Sequence, residues 1–126
     1  NGLAFSPDGR RFYVDDSERR DIWVYDAGPG GKLSNGRLFG KEDGPEGAGG
    51  PDGMRVDRKG NIFVTGPLGI CIWDAKGNHL GTIEMPEQPA NLAWGDPDYK
   101  TLYITETTSL YKLRTNTSGF VPYRKK

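Results

Sequence analysis

The stretch Gly50–Asp57, GPDGMRVD, couples a tight turn to a short apolar strand. Pro51 fixes its own φ and Gly53 permits a sharp bend, so the carboxylate of Asp52 lies where the chain enters the strand. The first nine residues, NGLAFSPDG, repeat this design with an oxygen-bearing side chain, a glycine, a short apolar segment and a polar turn. We therefore expect Asn1 and Asp52 to hold equivalent places in two copies of one structural unit.

A third copy makes the repeat explicit. The stretches NGLAFSPDGRRFYV, DGMRVDRKGNIFVT and ANLAWGDPDYKTLYIT share an apolar pair, a polar turn and an aromatic-rich strand, and the units start near residues 1, 52 and 90. A self-similar β unit of roughly 40 to 50 residues is typical of a β-propeller. The sequence thus predicts an all-β fold, a propeller of four-stranded antiparallel blades, with about three blades forming a single partial or half propeller over residues 1–126. A β-sandwich is the alternative, although it does not require its units to resemble one another.

The apolar clusters predict where the strands lie. We expect strands at residues 3–5, 11–14, 21–26 and 37–40, then at 54–56, 62–65, 69–74 and 79–83, then at 92–94, 101–104 and 109–113, with 119–123 as a weak outer strand of the third blade. The segment Lys41–Gly50 contains no apolar residue larger than alanine and is predicted to be a mobile surface loop that leads into Asp52.

Composition is consistent with short strands joined by tight turns. The 126 residues include 19 Gly and 9 Pro, and the hydrophobic content is only 34%. The 17 Lys and Arg residues balance 17 Asp and Glu residues, so no basic stripe favours nucleic acid or a membrane surface as a partner. No segment has the apolar length of a transmembrane helix, and the sequence leaves the compartment undetermined.

Three blades are too few to close a propeller, which needs at least four. Two interpretations follow for the ring. Either the chain is a fragment of a longer protein whose missing N-terminal half completes the ring, or a second copy pairs with it, because open β edges seek partners.

From residue 1 to about residue 114, the sequence resembles the C-terminal half of the SMP-30/gluconolactonase/LRE family of six-bladed β-propellers. The stretches NGLAFSPDG, GPDGMRVDRKGNIFVT and PEQPANLAWG carry the resemblance. It implies a lactone hydrolase with a divalent metal at the inner end of the central channel. Asn1 and Asp52 match two of the family's metal ligands, whereas the family's Glu ligand and the substrate-binding residues of its N-terminal half have no counterpart in this chain.

The chemistry of these residues agrees with that implication. Oxygen side chains at equivalent blade starts converge on the propeller axis, where they suit a hard cation. Ca²⁺ is the expected ion, with Mg²⁺, Zn²⁺, Mn²⁺ or Fe²⁺ as alternatives. The predicted function is a metal-dependent hydrolase of the gluconolactonase type that opens a sugar lactone with a metal-activated water. Asp52 is the predicted catalytic base as well as a ligand, two roles that compete.

The alternative function is a non-catalytic or designed half-propeller that dimerises into a closed ring and serves as a binding or assembly scaffold.

Asn91 is a candidate for substrate binding in the channel, although a role at a turn or strand start fits it equally well. Cys71, the only cysteine, lies in an apolar setting typical of a buried thiol, and His79, the only histidine, is predicted to be an exposed hairpin residue.

Overall fold

A computed structural model describes residues 1–123, so the last three residues of the predicted 1–126 domain lie outside the described range. The first sheet contains β1 (Leu3–Phe5), β2 (Arg11–Asp16), β3 (Asp21–Ala27) and β4 (Leu33–Lys41). The second contains β5 (Met54–Val56), β6 (Ile62–Gly66), β7 (Gly69–Trp73) and β8 (His79–Glu84). The third contains β9 (Pro89–Gly95), β10 (Thr101–Glu106) and β11 (Leu110–Arg114). One 3₁₀ turn, Pro29–Gly31, precedes β4.

The strands of every sheet follow one another in chain order and pair antiparallel. The first strands of the three sheets, β1, β5 and β9, are neighbours in space, because β5 contacts both of the others. This arrangement is that of three consecutive propeller blades with their inner strands side by side. The prediction of an all-β propeller with about three blades is confirmed.

The core lies in the two seams between the blades. Between the first and second blades the buried cluster includes Tyr13, Ile22, Met54, Ile62 and Val64, and between the second and third it includes Phe63, Ile70, Leu92, Trp94 and Leu102. Every residue of β6 is buried, because its side chains alternate between these two seams. The second blade is therefore the packed centre of the chain.

The outer faces of the first and third blades carry large exposed apolar side chains. Leu3 is 56% exposed and Phe5 is 48% exposed on the first blade, while Leu110 is 67% exposed on the third. Phe5 packs against Phe12 in a tilted arrangement with ring centroids 5.1 Å apart. Within the described residues, no helix has the length and apolar character needed to cross a membrane.

The chain beyond β11 departs from the sequence prediction. Residues 119–123 do not form an outer strand of the third blade, because Gly119 pairs antiparallel with Asp57 of the second blade. The Phe120 N–H donates to the carbonyl of Val56 at 2.9 Å. A Cβ on Gly119 would overlap the ring of Trp94, so the absence of a side chain lets this segment lie between two blades. The prediction for 119–123 was wrong because a long-range partner replaced the local one.

The strand bounds differ from prediction at a second point. The fourth strand begins at Leu33, four residues before the predicted start, and it pairs with β3 as far back as Ala27. Gly36 lies within this strand against the ring of Tyr25, where a Cβ would overlap the aromatic carbons. The close approach of this aromatic side chain explains the glycine.

Two turns of identical pattern, D-x-x-G-N, connect the strands of the second blade. In the first, the Asp57 carboxylate accepts hydrogen bonds from the backbone N–H groups of Lys59 and Asn61 and from the Asn61 side chain, at 2.8 to 3.0 Å. It also accepts one from the Thr117 hydroxyl at 2.8 Å, which ties the chain end to the second blade. Asp57 is 0% exposed.

The second turn, at Asp74, is a matched control. Its carboxylate accepts the same three bonds, from Lys76 and twice from Asn78, each at 2.9 Å, but they are exposed to solvent. We expect Asp57→Ala to lower the free energy of unfolding by about 2–4 kcal/mol, because four part-buried hydrogen bonds to a buried carboxylate are lost, and Asp74→Ala by about 1 kcal/mol. Urea unfolding of both variants measures this difference. Equal losses would contradict the role given to burial and to Thr117.

Candidate functional site

The strand register shows which residues are equivalent in the three blades. The corresponding pairs are Leu3 with Val14, Met54 with Val64 and Leu92 with Ile104. Two positions before the first member of each pair lie Asn1, Asp52 and Ala90. Asn1 and Asp52 therefore hold equivalent places, as the repeat predicted, and the third blade offers a methyl group where they carry oxygen.

Adjacent inner strands approach each other closely at this end of the blades. The N–H of Gly53 donates to the carbonyl of Ala90 at 2.9 Å. A Cβ at Gly2 would overlap the carbonyl oxygen of Asp52, and one at Gly53 would overlap the side chain of Asn91. The glycine that follows each oxygen-bearing residue therefore lets the next blade start lie against it.

Ser17 connects the two candidate ligands. Its hydroxyl accepts a hydrogen bond from Nδ2 of Asn1 at 3.1 Å and donates to the carbonyl of Pro51 at 2.5 Å. The backbone nitrogen of Asn1 donates to the Asp15 carbonyl at 2.8 Å. Since Nδ2 donates to Ser17, Oδ1 is the candidate ligand atom of the Asn1 amide. One hydroxyl thus orients Asn1 and fixes the residue before Asp52.

A buried carboxyl group lies directly beside this pair. Asp15 is 3% exposed; its Oδ1 accepts the N–H of Gly2 at 3.0 Å, and its Oδ2 has no hydrogen-bond partner among the described residues. Burial raises the pKa of Asp15 to about 7, and the charge of Asp52 adds to the rise, against the hydrogen bond from Gly2 and the Asn1 amino group. Asp15 therefore brings a carboxyl that can change protonation near neutral pH to the edge of the site.

A second buried acid, Glu42, lies where the first blade meets the second. It is 3% exposed, and within residues 1–123 neither carboxylate oxygen has a hydrogen-bond partner. Burial raises the pKa of Glu42 to about 8 and the charge of Asp15 adds to this, while the neighbouring Cys71 thiol and the Arg20 guanidinium oppose it. Glu42 is therefore protonated at neutral pH.

Asn91 lies one position after the equivalent of Asn1 and Asp52, in the place of Gly2 and Gly53. Its side chain is exposed, and Oδ1 accepts the N–H of Leu92 at 2.9 Å. This bond is that of a strand-start residue. The role of Asn91 in substrate binding stays a prediction.

Cys71 and His79 are placed as the sequence predicted, the first as a buried thiol and the second as an exposed residue. Cys71 is buried, and burial raises the pKa of its thiol to about 12, which leaves it unreactive. His79 is exposed on β8, with its ring 4.8 Å from that of Trp73. Across the described residues, no group of three or more His, Cys, Asp or Glu side chains is arranged to hold a metal.

Sequence reasoning missed Ser17, Asp15 and Glu42 as parts of the site. Alternation along β2 buries Asp15 while Asp16 is partly exposed. That alternation was a usable signal. Ser17 contacts Pro51, and Glu42 contacts Gly66. Both contacts join residues far apart in the chain, so no local sequence pattern predicts them.

A family-level comparison fits this geometry. Residues 1–108 match the family described as SMP-30/Gluconolactonase/LRE-like region. The chain belongs to this family. The resemblance inferred from the sequence is thereby confirmed.

Individual relatives support the same assignment. This SMP-30/gluconolactonase-like chain is 40% identical over 127 residues to a gluconolactonase of Zymomonas mobilis, covering 94% of this chain and 35% of the relative. It is 38% identical over 111 residues to a regucalcin of Danio rerio, covering 83% of this chain and 37% of the relative. A solved gluconolactonase structure from Xanthomonas campestris has a TM-score of 0.79 and 33% identity, covering 90% of this chain and 37% of that chain.

The chain spans about a third of the length of the curated relatives it matches. The comparisons lend no support to the alternative of a non-catalytic or designed scaffold.

Gly2→Ala tests the close approach of the blade starts. The new methyl group would collide with the backbone of Asp52, so we expect the free energy of unfolding to fall by about 1–3 kcal/mol. Gly81→Ala is the control, because a Cβ there meets nothing within 4 Å, and it should change stability by about 0.5 kcal/mol or less. Urea unfolding compares the two variants. A Gly2→Ala variant as stable as Gly81→Ala would refute the packing described.

Glu42→Gln tests the buried acid. The folded chain retains the Glu42 proton up to about pH 8, whereas the unfolded chain releases it near 4.5, so the free energy of unfolding falls as pH rises through this window. Glutamine cannot ionise, so we expect the variant to match the wild type near pH 4 and to be more stable above pH 8, with a shallower decline that leaves the contribution of Asp15. Urea unfolding at several pH values measures both curves. Parallel curves would show that Glu42 is not a buried, protonated acid.

Proposed function

We propose that this chain supplies part of the metal and catalytic site of a lactonase, in which Asn1 and Asp52 hold a divalent cation and Asp52 acts as the base. The observation that carries the proposal is the Ser17 bridge, because one hydroxyl orients the Asn1 amide and anchors the carbonyl that precedes Asp52. These two hydrogen bonds link the first blade to the turn that begins the second, which favours a role in binding over that of a simple turn.

The donor atoms fit a hard cation. The amide oxygen of Asn1 and the carboxylate of Asp52 are oxygen donors of the kind that Ca²⁺ and Mg²⁺ prefer. The unpartnered Oδ2 of Asp15 adds negative potential at the same edge when that group is ionised. Two side chains are fewer than the six to eight ligands that Ca²⁺ takes, so waters, backbone carbonyls and further blades must supply the rest. Ca²⁺ is our first choice of ion, with Mg²⁺, Zn²⁺, Mn²⁺ and Fe²⁺ as alternatives.

Such a cation supplies polarisation of the lactone carbonyl and lowers the pKa of a water molecule. Asp52 then accepts the proton of the attacking water as its oxygen bonds to the carbonyl carbon. The bond between this carbon and the ring oxygen breaks, and Asp52 returns the proton to the departing ring oxygen. The product is the open-chain hydroxy acid, with one water consumed and no net proton change at Asp52.

The substrate we propose is a sugar lactone. The relatives named gluconolactonase support this class. The exposed amide of Asn91 lies one residue from the equivalent of the ligand positions, where it could hydrogen bond a sugar hydroxyl. We retain Asn91 as a candidate substrate-binding residue.

A closed ring is part of the proposal. The three blades leave apolar faces open at Leu3, Phe5 and Leu110, and further blades would cover them. Either a second half of a longer chain or a second copy would supply those blades. Light scattering with and without Ca²⁺ distinguishes a monomer from a self-paired ring.

Asp52→Asn tests the assigned roles. Loss of a charged ligand should weaken Ca²⁺ binding by about 100-fold, measured by titration calorimetry, and loss of the base should lower kcat/KM for glucono-δ-lactone at least about 100-fold in the closed-ring form. Ser17→Ala should weaken Ca²⁺ binding by about 10-fold, because the Asn1 amide loses its orienting partner, and Ser17→Thr should restore it.

Glu84→Gln is the control, since Glu84 is an exposed carboxylate on β8, the last strand of the second blade. It should leave both the Ca²⁺ affinity and kcat/KM unchanged. If Asp52→Asn binds Ca²⁺ as tightly as the wild type, the ligand assignment fails. If it also retains full lactonase activity, the base assignment fails with it.

A further inference from the structure

The segment from Glu42 to Gly50, the mouth loop, joins the end of the first blade to the Asp52 turn. Its sequence, EDGPEGAGG, contains four glycines and no large apolar residue, so its own side chains provide little packing. Its one internal backbone hydrogen bond among the described contacts runs from Ala48 N–H to the Pro45 carbonyl, at 3.2 Å. Contacts from outside the loop must therefore define its shape.

Arg20 supplies those contacts. Its guanidinium donates from Nη1 to the carbonyl of Gly44 at 2.9 Å, and from Nη2 to the carbonyls of Pro45 at 2.9 Å and Ala48 at 2.5 Å. Its own carbonyl accepts the N–H of Glu42 at 2.8 Å. One residue thus binds the mouth loop at four points along its length.

The mouth loop runs across the ligand end of all three blades. A Cβ at Gly50 would overlap the Ser17 carbonyl, one at Gly44 would meet Pro67, and one at Gly49 would lie 2.9 Å from the Gln88 side chain. Gln88 precedes β9, and its Nε2 donates to the Gly66 carbonyl at 2.8 Å. The loop therefore forms a rim over the start of the inner strands.

The backbone of Arg20 is adapted to this role. Arg20 has a φ of +57°, in the left-handed region that non-glycine residues seldom adopt. The preceding turn is fixed by Asp16, whose Oδ1 accepts the N–H groups of Glu18 and Arg19, both at 3.0 Å. This turn directs the Arg20 side chain to the mouth loop, and lysine could not reproduce its planar fork of donors.

We propose that Arg20 is a positioning residue for substrate specificity: it fixes the mouth loop at the channel entrance and so decides which lactone rings reach Asp52. This inference rests on the proposed lactonase function and extends it to a residue that touches neither the cation nor the reacting atoms. Arg20 acts on entry and orientation of the substrate, so its loss changes KM and the preference between ring sizes rather than the affinity for metal.

The test compares Arg20→Lys with Arg19→Lys. Arg19 is the adjacent residue and carries the same charge, and its side chain is 75% exposed with Nε 3.9 Å from Oδ2 of Asp16. Both variants are examined by amide hydrogen exchange, by Ca²⁺ titration calorimetry and by kinetics in the closed-ring form with glucono-δ-lactone and glucono-γ-lactone.

For Arg20→Lys we expect amide exchange in residues 42–50 to accelerate about tenfold or more, and the KM ratio of the two lactones to shift about tenfold, while kcat and the Ca²⁺ affinity change less than about threefold. A tenfold effect corresponds to the loss of one charge-assisted hydrogen bond. Arg19→Lys should match the wild type in every measurement. The exchange of β6 amides serves as an internal reference for global unfolding.

If Arg20→Lys also accelerates exchange in β6, Gly47→Ala replaces it as the test. Gly47 has a φ of +80° with open space around it, so alanine there strains the loop tip without altering Arg20. It should shift the KM ratio without changing Ca²⁺ affinity. An unchanged KM ratio in the variant tested, or equal losses of Ca²⁺ affinity and kcat, would overturn the specificity role.

Failure of the proposed function has a different signature. A wild-type ring without lactonase activity would refute that function and the specificity role with it. The exchange comparison of Arg20→Lys with Arg19→Lys would still decide whether Arg20 holds the mouth loop.

Discussion

The close backbone contact between neighbouring inner strands is the constraint on which the candidate site depends. Gly2 lies against the carbonyl of Asp52, and Gly53 lies against the carbonyl of Ala90. Because neither glycine has a Cβ, consecutive blades approach closely at one end and bring their first residues together. Asn1 therefore lies beside the Asp52 turn, and the Ser17 hydroxyl bonds both the Asn1 amide and the carbonyl of Pro51.

The seam between the first two blades combines an apolar core with two buried acidic residues. Ile22, Met54 and Val64 are almost fully buried there, and the buried acids Asp15 and Glu42 lie against Gly2 and Gly66, respectively. A carboxyl group in such surroundings is favoured in its protonated form, because burial removes the water that would solvate its charge. The fold therefore loses stability as pH rises through the range in which these two groups ionise. Such local conflicts with good packing are expected at functional sites.

Sequence reasoning predicted most of the strands and the equivalence of Asn1 and Asp52. It did not predict the hydrogen bonds by which Ser17 links Asn1 to Pro51. Alternating apolar residues and D-x-x-G-N turns are local signals, so the three sheets and the equivalence of Asn1 and Asp52 could be predicted. The path of residues 119–123 could not, because it depends on a space beside Trp94 that exists only when two blades have packed. The same limit applies to Arg20, which lies 24 to 28 positions before the carbonyls it binds.

The sequence by itself determined the repeat, the all-β class and the residue types at the blade starts, because each follows from the chemistry of a few adjacent residues. The tertiary structure alone decided that Asp15 and Glu42 are buried, that Ser17 joins Asn1 to the Asp52 turn, and that Arg20 holds the mouth loop. Each of these depends on atoms from different blades meeting within hydrogen-bond or van der Waals distance. Such contacts are set by how the sheets pack, and no stretch of the chain contains that information locally.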